Sequence, residues 1–105
     1  MTTLAKSPRY RNKRILAHAR GQDCALCAPG CNYDPATTVF AHLNMWVAGK
    51  GAGRKADDLF GIFMCSSCHA YYDSGQFAEL PESDGWLLVG LIKTQSILLR
   101  DGVVK

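Results

Sequence analysis

Residues 64–73 read MCSSCHAYYD, which places Cys65, Cys68, His69 and Asp73 within nine positions. Cys65 and Cys68 have the C-x-x-C spacing that lets two thiolates chelate one ion. Upstream, Cys24, Cys27 and Cys31 punctuate the loop QDCALCAPGCNYDP and can supply two more. Two separated pairs closing a tetrahedral sulfur shell is the pattern of a structural zinc site, with Zn–S bonds near ~2.3 Å. A redox C-x-x-C is the competing chemistry. It usually sits in a βαβ context, absent here, and needs no further cysteines. Spacing alone does not choose the upstream pair: Cys24 with Cys27 is the default, and Cys31 competes.

His69 and Asp73 stand four apart, so on a helix they share a face. Such a pair can hold a divalent ion, or make only a surface hydrogen bond. His42 lies in VFAHLN, where on its own it reads as a structural histidine before a catalyst; if it faces His69 and Asp73, it reads as a base. Imidazole suits that task because an unperturbed pKa of ~6.5 leaves much of it neutral at cellular pH. His18 falls in a basic stretch and reads as a surface or packing residue.

The elements that must position these groups can be read from the pattern. SPRYRNKRILAHARG predicts a helix, with Ser7 as cap, Pro8 in the first position and Gly21 as its end. TTVFAHL (37–43) and LFGIFM (59–64) predict strands, separated by the glycine-rich basic loop VAGKGAGRKADD. Its G-x-G-x-G lacks G-K-[ST] and a following helix, which argues against a nucleotide-binding loop. A short helix is expected from the second cysteine pair to Gly75. A longer one, capped by Ser83 or Asp84, should run to about Arg100, with Gly102 ending it. Its Leu88, Leu91, Ile92, Gln95, Leu98 and Leu99 recur at three- and four-residue steps, so that face is expected on the core. The order predicts a small α+β domain, with no boundary to divide residues 1–105.

Composition is ordinary for a globular chain, at 48% hydrophobic and 20% charged. No run approaches the ~18 apolar residues of a membrane span, and the N-terminus lacks the apolar stretch of a signal peptide. Five cysteines then suggest a reducing, cytoplasmic compartment and metal rather than disulfides, with one thiol to spare. The net charge of +3 conceals an asymmetry. Residues 1–55 carry nine Lys/Arg against Asp23 and Asp34, whereas residues 56–105 carry three against seven Asp/Glu. A basic block of this kind suits a polyanion such as DNA, or is simply a solvated helix face.

Together, ARGQDC, PGC, TTVFAHL, the loop with Lys55 and Asp58, CSSCHAYYD and KTQSILLRDGVV resemble the YbcO family of phage and prophage proteins. These are nucleases of the H-N-H, or ββα-metal, superfamily, and the resemblance spans about residues 9–104. It implies a zinc-stapled ββα-metal, treble-clef-like domain, here with an N-terminal basic helix and a long C-terminal one. It implies a metal-dependent DNA endonuclease in the cytoplasm of a bacterial or phage-infected host. His42 would be the general base. Cys24, Cys31, Cys65 and Cys68 would hold zinc. Cys27 would be spare, although a knuckle one residue shorter than the family's leaves it a possible substitute. His69 would help hold a catalytic Mg²⁺ or Mn²⁺, and Asp73 is our addition to that site. Asp58, or less readily Asp57, is the nearest counterpart of the family's base-orienting asparagine. Arg9, Arg11, Lys13, Arg14, Lys50, Arg54 and Lys55 are expected to contact phosphates. One departure stands out: many H-N-H enzymes carry a metal-binding Asp or His just before the base, where this chain has Ala41. A non-catalytic zinc module that binds nucleic acid is therefore the alternative, followed by an adaptor for recombination or replication proteins.

Overall fold

In the computed structural model, which describes residues 10–44 and 57–104, the basic N-terminal segment becomes helical later than its pattern predicts. Helix α1 spans Lys13–His18, capped by Asn12, whose side chain accepts from the Arg14 N–H. Tyr10 and Arg11 precede the helix; Ser7 and Pro8 lie outside the described residues. The cause is a distant carboxylate. Asp58 accepts the Asn12 N–H at 2.7 Å and the Arg11 guanidinium at 3.1 Å, while its own N–H donates to the Tyr10 carbonyl at 3.0 Å. Those bonds hold residues 10–12 against the chain near Asp58, with Asn12 extended at φ −147°.

The sheet of the described residues is one antiparallel pair. Strand β1 (Val39–His42) faces β2 (Gly61–Met64) in the register Val39↔Met64 to His42↔Gly61. The first strand starts two residues later than expected, because Pro35–Thr37 forms a 3-10 turn capped by the Asp34 side chain. All four residues of β2 are buried. The backbone of Phe63 there is served from outside the ladder: its N–H donates to Thr94 Oγ1 at 3.1 Å and its carbonyl accepts from the Ala25 N–H at 2.7 Å. Gly61 is required by close approach: a Cβ there would run into the Phe40 ring and stand 2.8 Å from the Ala41 carbonyl oxygen. Gly61→Ala is expected to cost about 1–3 kcal/mol by overpacking. Urea unfolding checks this, and an unchanged midpoint would show that the ring yields freely.

Helix α2 spans Ser66–Asp73 and begins at Cys65, whose sulfur caps it by accepting the Cys68 N–H. Helix α3 spans Ser83–Arg100. Neither Ser83 nor Asp84 caps it; Glu82 holds that position without a side-chain bond, and both expected caps lie in the first turn.

The face of α3 also departs from expectation. Its buried residues are Ser83, Gly90, Thr94 and Leu98. Of the six expected on the core, only Leu98 is fully buried; Leu91 and Gln95 are half-buried, and Leu88, Ile92 and Leu99 are exposed. Close packing on β2 explains the choice. A Cβ on Gly90 would lie 3.0 Å from Ile62 Cγ2, and the Thr94 hydroxyl must reach the Phe63 N–H. A contact that tight selects small side chains over leucines. The core around it centres on Ile15, Ile62, Phe63, Met64, Phe77 and Leu98.

Candidate metal centre and active site

The loop after α1 and the start of α2 bring sulfur atoms together. The ligand atoms of Cys24, Cys31, Cys65 and Cys68 all lie within 4.8 Å of one another. Cys65 Sγ stands 3.7 Å from Cys31 Sγ, and all five cysteines are free thiols. A disulfide needs ~2.05 Å. The edge of a tetrahedral sulfur shell with ~2.3 Å bonds is ~3.8 Å. The spacing therefore fits one tetrahedral metal ion.

Backbone donors fit it too. The N–H groups of Cys27, Tyr33 and Cys68 point at the sulfurs of Cys24, Cys31 and Cys65, at 3.4, 3.4 and 3.3 Å. Burial pushes the Cys31 thiol up to about 12, with neighbouring Cys65 and Cys24 adding to the rise. Burial likewise pushes Cys68 far up. Burial acts the same way on Cys65, but there the N–H groups of Cys68 and Asn32 and its thiol neighbours prevail, bringing it down to about 7. Without a cation such a set does not ionise together. A bound metal is what would make it a set of thiolates.

Cys27 is outside the group. It sits in a left-handed turn at φ 50°, and its Sγ donates to the Cys24 carbonyl at 3.0 Å. The structure thus pairs Cys24 with Cys31, against the default from spacing.

His42 ends β1, with Nε2 2.7 Å from Asp58 Oδ1 and its ring edge-on to Phe40 at 5.2 Å. Asp58 is 4% exposed and receives three partners: His42, the Arg11 guanidinium and the Asn12 N–H. Burial works to raise its carboxyl, but the hydrogen bonds from His42 and Asn12 and the charges of His42 and Arg11 prevail and hold it below the ordinary range. When Nε2–H donates to the carboxylate, Nδ1 is the ring nitrogen left to exchange a proton. The same strand end is tied on its other side: Asn44 N–H donates to the Tyr72 hydroxyl at 2.9 Å, which donates to Asn44 Oδ1 at 2.8 Å.

Asp58 carries a pH signature. A carboxyl held low in the fold contributes stability above its unfolded pKa of ~3.9, and that contribution is lost as pH falls through the lower folded value. The stability gap between wild type and Asp58→Asn is therefore expected to narrow below about pH 4. Thermal melts of both proteins across that window check it, and a gap that stays constant would contradict it.

On α2, His69 Nε2 lies 3.1 Å from Asp73 Oδ2, with side chains 39% and 62% exposed. Two cis ligands of an octahedral ion with ~2.1 Å bonds stand ~3.0 Å apart, so the pair could occupy two such positions. Among the described residues, no set of three or more candidate ligands forms besides the cysteines. Ala41 is 2% exposed, pairs with Ile62 across the ladder and offers no ligand.

Of the expected phosphate contacts, Lys13 and Arg14 are exposed on α1. Arg14 also donates to the Gly102 carbonyl at 3.0 Å, and Arg11 is held by Asp58. Arg9, Lys50, Arg54 and Lys55 lie outside the described residues. His18 pairs with Asp101 at 2.8 Å. Sequence reasoning did not find the parts played by Asn12, Asn44 and Tyr72. Asn44 and Tyr72 meet across 28 residues and Asn12, besides capping α1, reaches Asp58 across 46, and no local pattern marks those long-range parts.

A family model described as "Putative nuclease YbcO" matches residues 13–103. Proteins of that name from Escherichia coli (strain K12) and from Enterobacteria phage 82 are each 37% identical over 89 residues, 83% of this chain and 92% of the relative. A solved structure, described as that of "a putative bacteriophage protein from Escherichia coli", superposes with a TM-score of 0.62 at 32% identity. It covers 83% of this chain and 98% of that one.

Proposed function

The chain belongs to the YbcO family, and from that membership and the His42–Asp58 pair we propose that it is a metal-dependent DNA endonuclease of the H-N-H, ββα-metal type. The observation that carries the reading is the 2.7 Å bond from a strand-end histidine to a buried carboxylate. With Nε2–H donating to Asp58, Nδ1 would be the nitrogen that acts as the base.

In this reading β1, β2 and α2 are the ββα unit, stapled in treble-clef fashion by the four-cysteine site. Cys24, Cys31, Cys65 and Cys68 would hold zinc, which is structural because four thiolates leave no open position for water. At His69 and Asp73, bound Mg²⁺ or Mn²⁺ would supply charge that polarises the phosphoryl group and stabilises the leaving oxygen. His42 Nδ1 accepts a proton from the water that attacks phosphorus. Asp58 holds the ring and offsets the imidazolium that results, while Arg11 and Asn12 hold Asp58. Lys13 and Arg14 contact phosphates, which positions the protein without reading bases.

A second reading, a non-catalytic zinc module that binds nucleic acid, is favoured by Ala41. One experiment separates the two: metal-loaded protein is incubated with supercoiled and single-stranded DNA, with and without added Mg²⁺ or Mn²⁺. Nicking that needs the added ion, with binding that weakens steeply in salt, is the expected result. Firm salt-sensitive binding without cleavage under either ion would favour the second reading.

A further inference from the structure

The apolar residues of α3 that the core does not take form a face of their own. Leu88, Val89, Ile92 and Leu99 are 58%, 51%, 55% and 57% exposed. At ~100° per residue, Leu88, Ile92 and Leu99 fall within about 40° of one another, roughly opposite Gly90 and turned by about 140° from Thr94 and about 100° from Leu98. Positions 85, 88, 92, 95 and 99 alternate by three and four residues, the spacing of a two-helix seam. Gly85 is small, and Gln95 leans aside to bond the Leu59 carbonyl at 2.9 Å. A neighbouring helix could therefore approach closely between the large side chains.

We infer that this face pairs antiparallel with the same face of a second copy of the chain. The seam is self-complementary about a two-fold axis near residues 93 and 94. There Leu88 opposes Leu99 of the other copy, and Ile92 opposes its Gln95. Charge sets the direction. Glu82 and Asp84 stand at the N-terminal end of α3, and Arg14 and Arg100 gather at its C-terminal end beside Asp101. An antiparallel pair sets the acidic end of each copy against the basic end of the other, and opposes the helix dipoles. A parallel pair would stack like charges.

Area sets the strength. Four side chains at roughly 100 Å² of apolar surface each give about 400 Å² per copy. That matches the largest apolar patch of about 300–600 Å² that a typical monomer carries, which is often functional, and is half of the ~800 Å² per partner typical of stable complexes. The polar residues flanking an 18-residue helix supply part of the remainder. A reversible rather than permanent dimer is therefore expected. The inference does not depend on the nuclease reading.

Sedimentation velocity of the metal-loaded full chain, from about 2 to about 200 µM, tests it. Wild type is expected to pass from monomer to dimer across that range. Ile92→Glu and Leu88→Glu, both at exposed positions, are each expected to weaken the dimer at least about tenfold while the melting temperature holds. A wild type that stays monomeric throughout, as it would if another segment or another protein covered this face, overturns the inference. So does a dimer indifferent to Ile92→Glu.

Discussion

His42→Ala is expected to lower DNA nicking by about 10²–10⁴-fold, the usual contribution of a positioned general base. Metal content and DNA binding should be unchanged. The imidazole is not part of the cysteine cluster, and its visible tie is to Asp58 rather than to a basic residue that would meet phosphate. Asp58→Asn should fall between wild type and His42→Ala. An amide oxygen can still accept from Nε2–H and keep Nδ1 free, but it brings no charge to offset the imidazolium. That order of activities separates a base held by a carboxylate from a histidine that merely packs. A His42→Ala protein with full metal content that nicks at the wild-type rate would remove His42 from the mechanism. The inferred Mg²⁺ or Mn²⁺ at His69 and Asp73 could be correct even then, so metal dependence is scored separately.

Local spacing carried much of this architecture. C-x-x-C followed by His and Asp places a helix from Cys65 to Gly75, because cap, chelate and shared face all fit within one short element. Both strands are legible from their β-branched and aromatic runs. What could not be read depends on partners far along the chain or on the shape of a contact. The start of α1 is set by Asp58, 46 residues from Asn12. Spacing alone left Cys31 and Cys27 open, because it carries no record of the left-handed turns at Cys27, Gly30 and Tyr33; only the family resemblance named Cys31. The face of α3 was misread because periodicity counts apolar side chains, while the contact with β2 selects small ones. Asp58 could be singled out beside Asp57 only as the nearest counterpart of the H-N-H asparagine that the resemblance implies; its 2.7 Å approach to His42 is a property of the folded chain.

The cysteines should give the largest effect on stability. Cys68→Ser is expected to abolish metal binding and leave the chain largely unfolded at 37 °C. Structural zinc contributes on the order of 10–16 kcal/mol in small zinc-finger peptides, and whole domains are stable by only about 5–15 kcal/mol. Here the four cysteines that could hold the ion would join the loop carrying Cys24 and Cys31 to the start of α2, in a domain whose sheet, among the described residues, has two short strands. Without it, the remaining thiols or thiolates would be left in a buried group with no cation to offset them. Cys27→Ser is the contrasting case. Serine can keep the hydrogen bond to the Cys24 carbonyl, so stability should change by no more than about 1 kcal/mol and one metal ion per chain should remain. Metal stoichiometry and thermal melts on Cys27→Ser, Cys31→Ser and Cys68→Ser decide the matter. If Cys27→Ser released the metal while Cys31→Ser kept it, the ligand set would be wrong. The left-handed turn at Cys27 would then have to swing that thiol inward to replace Cys31.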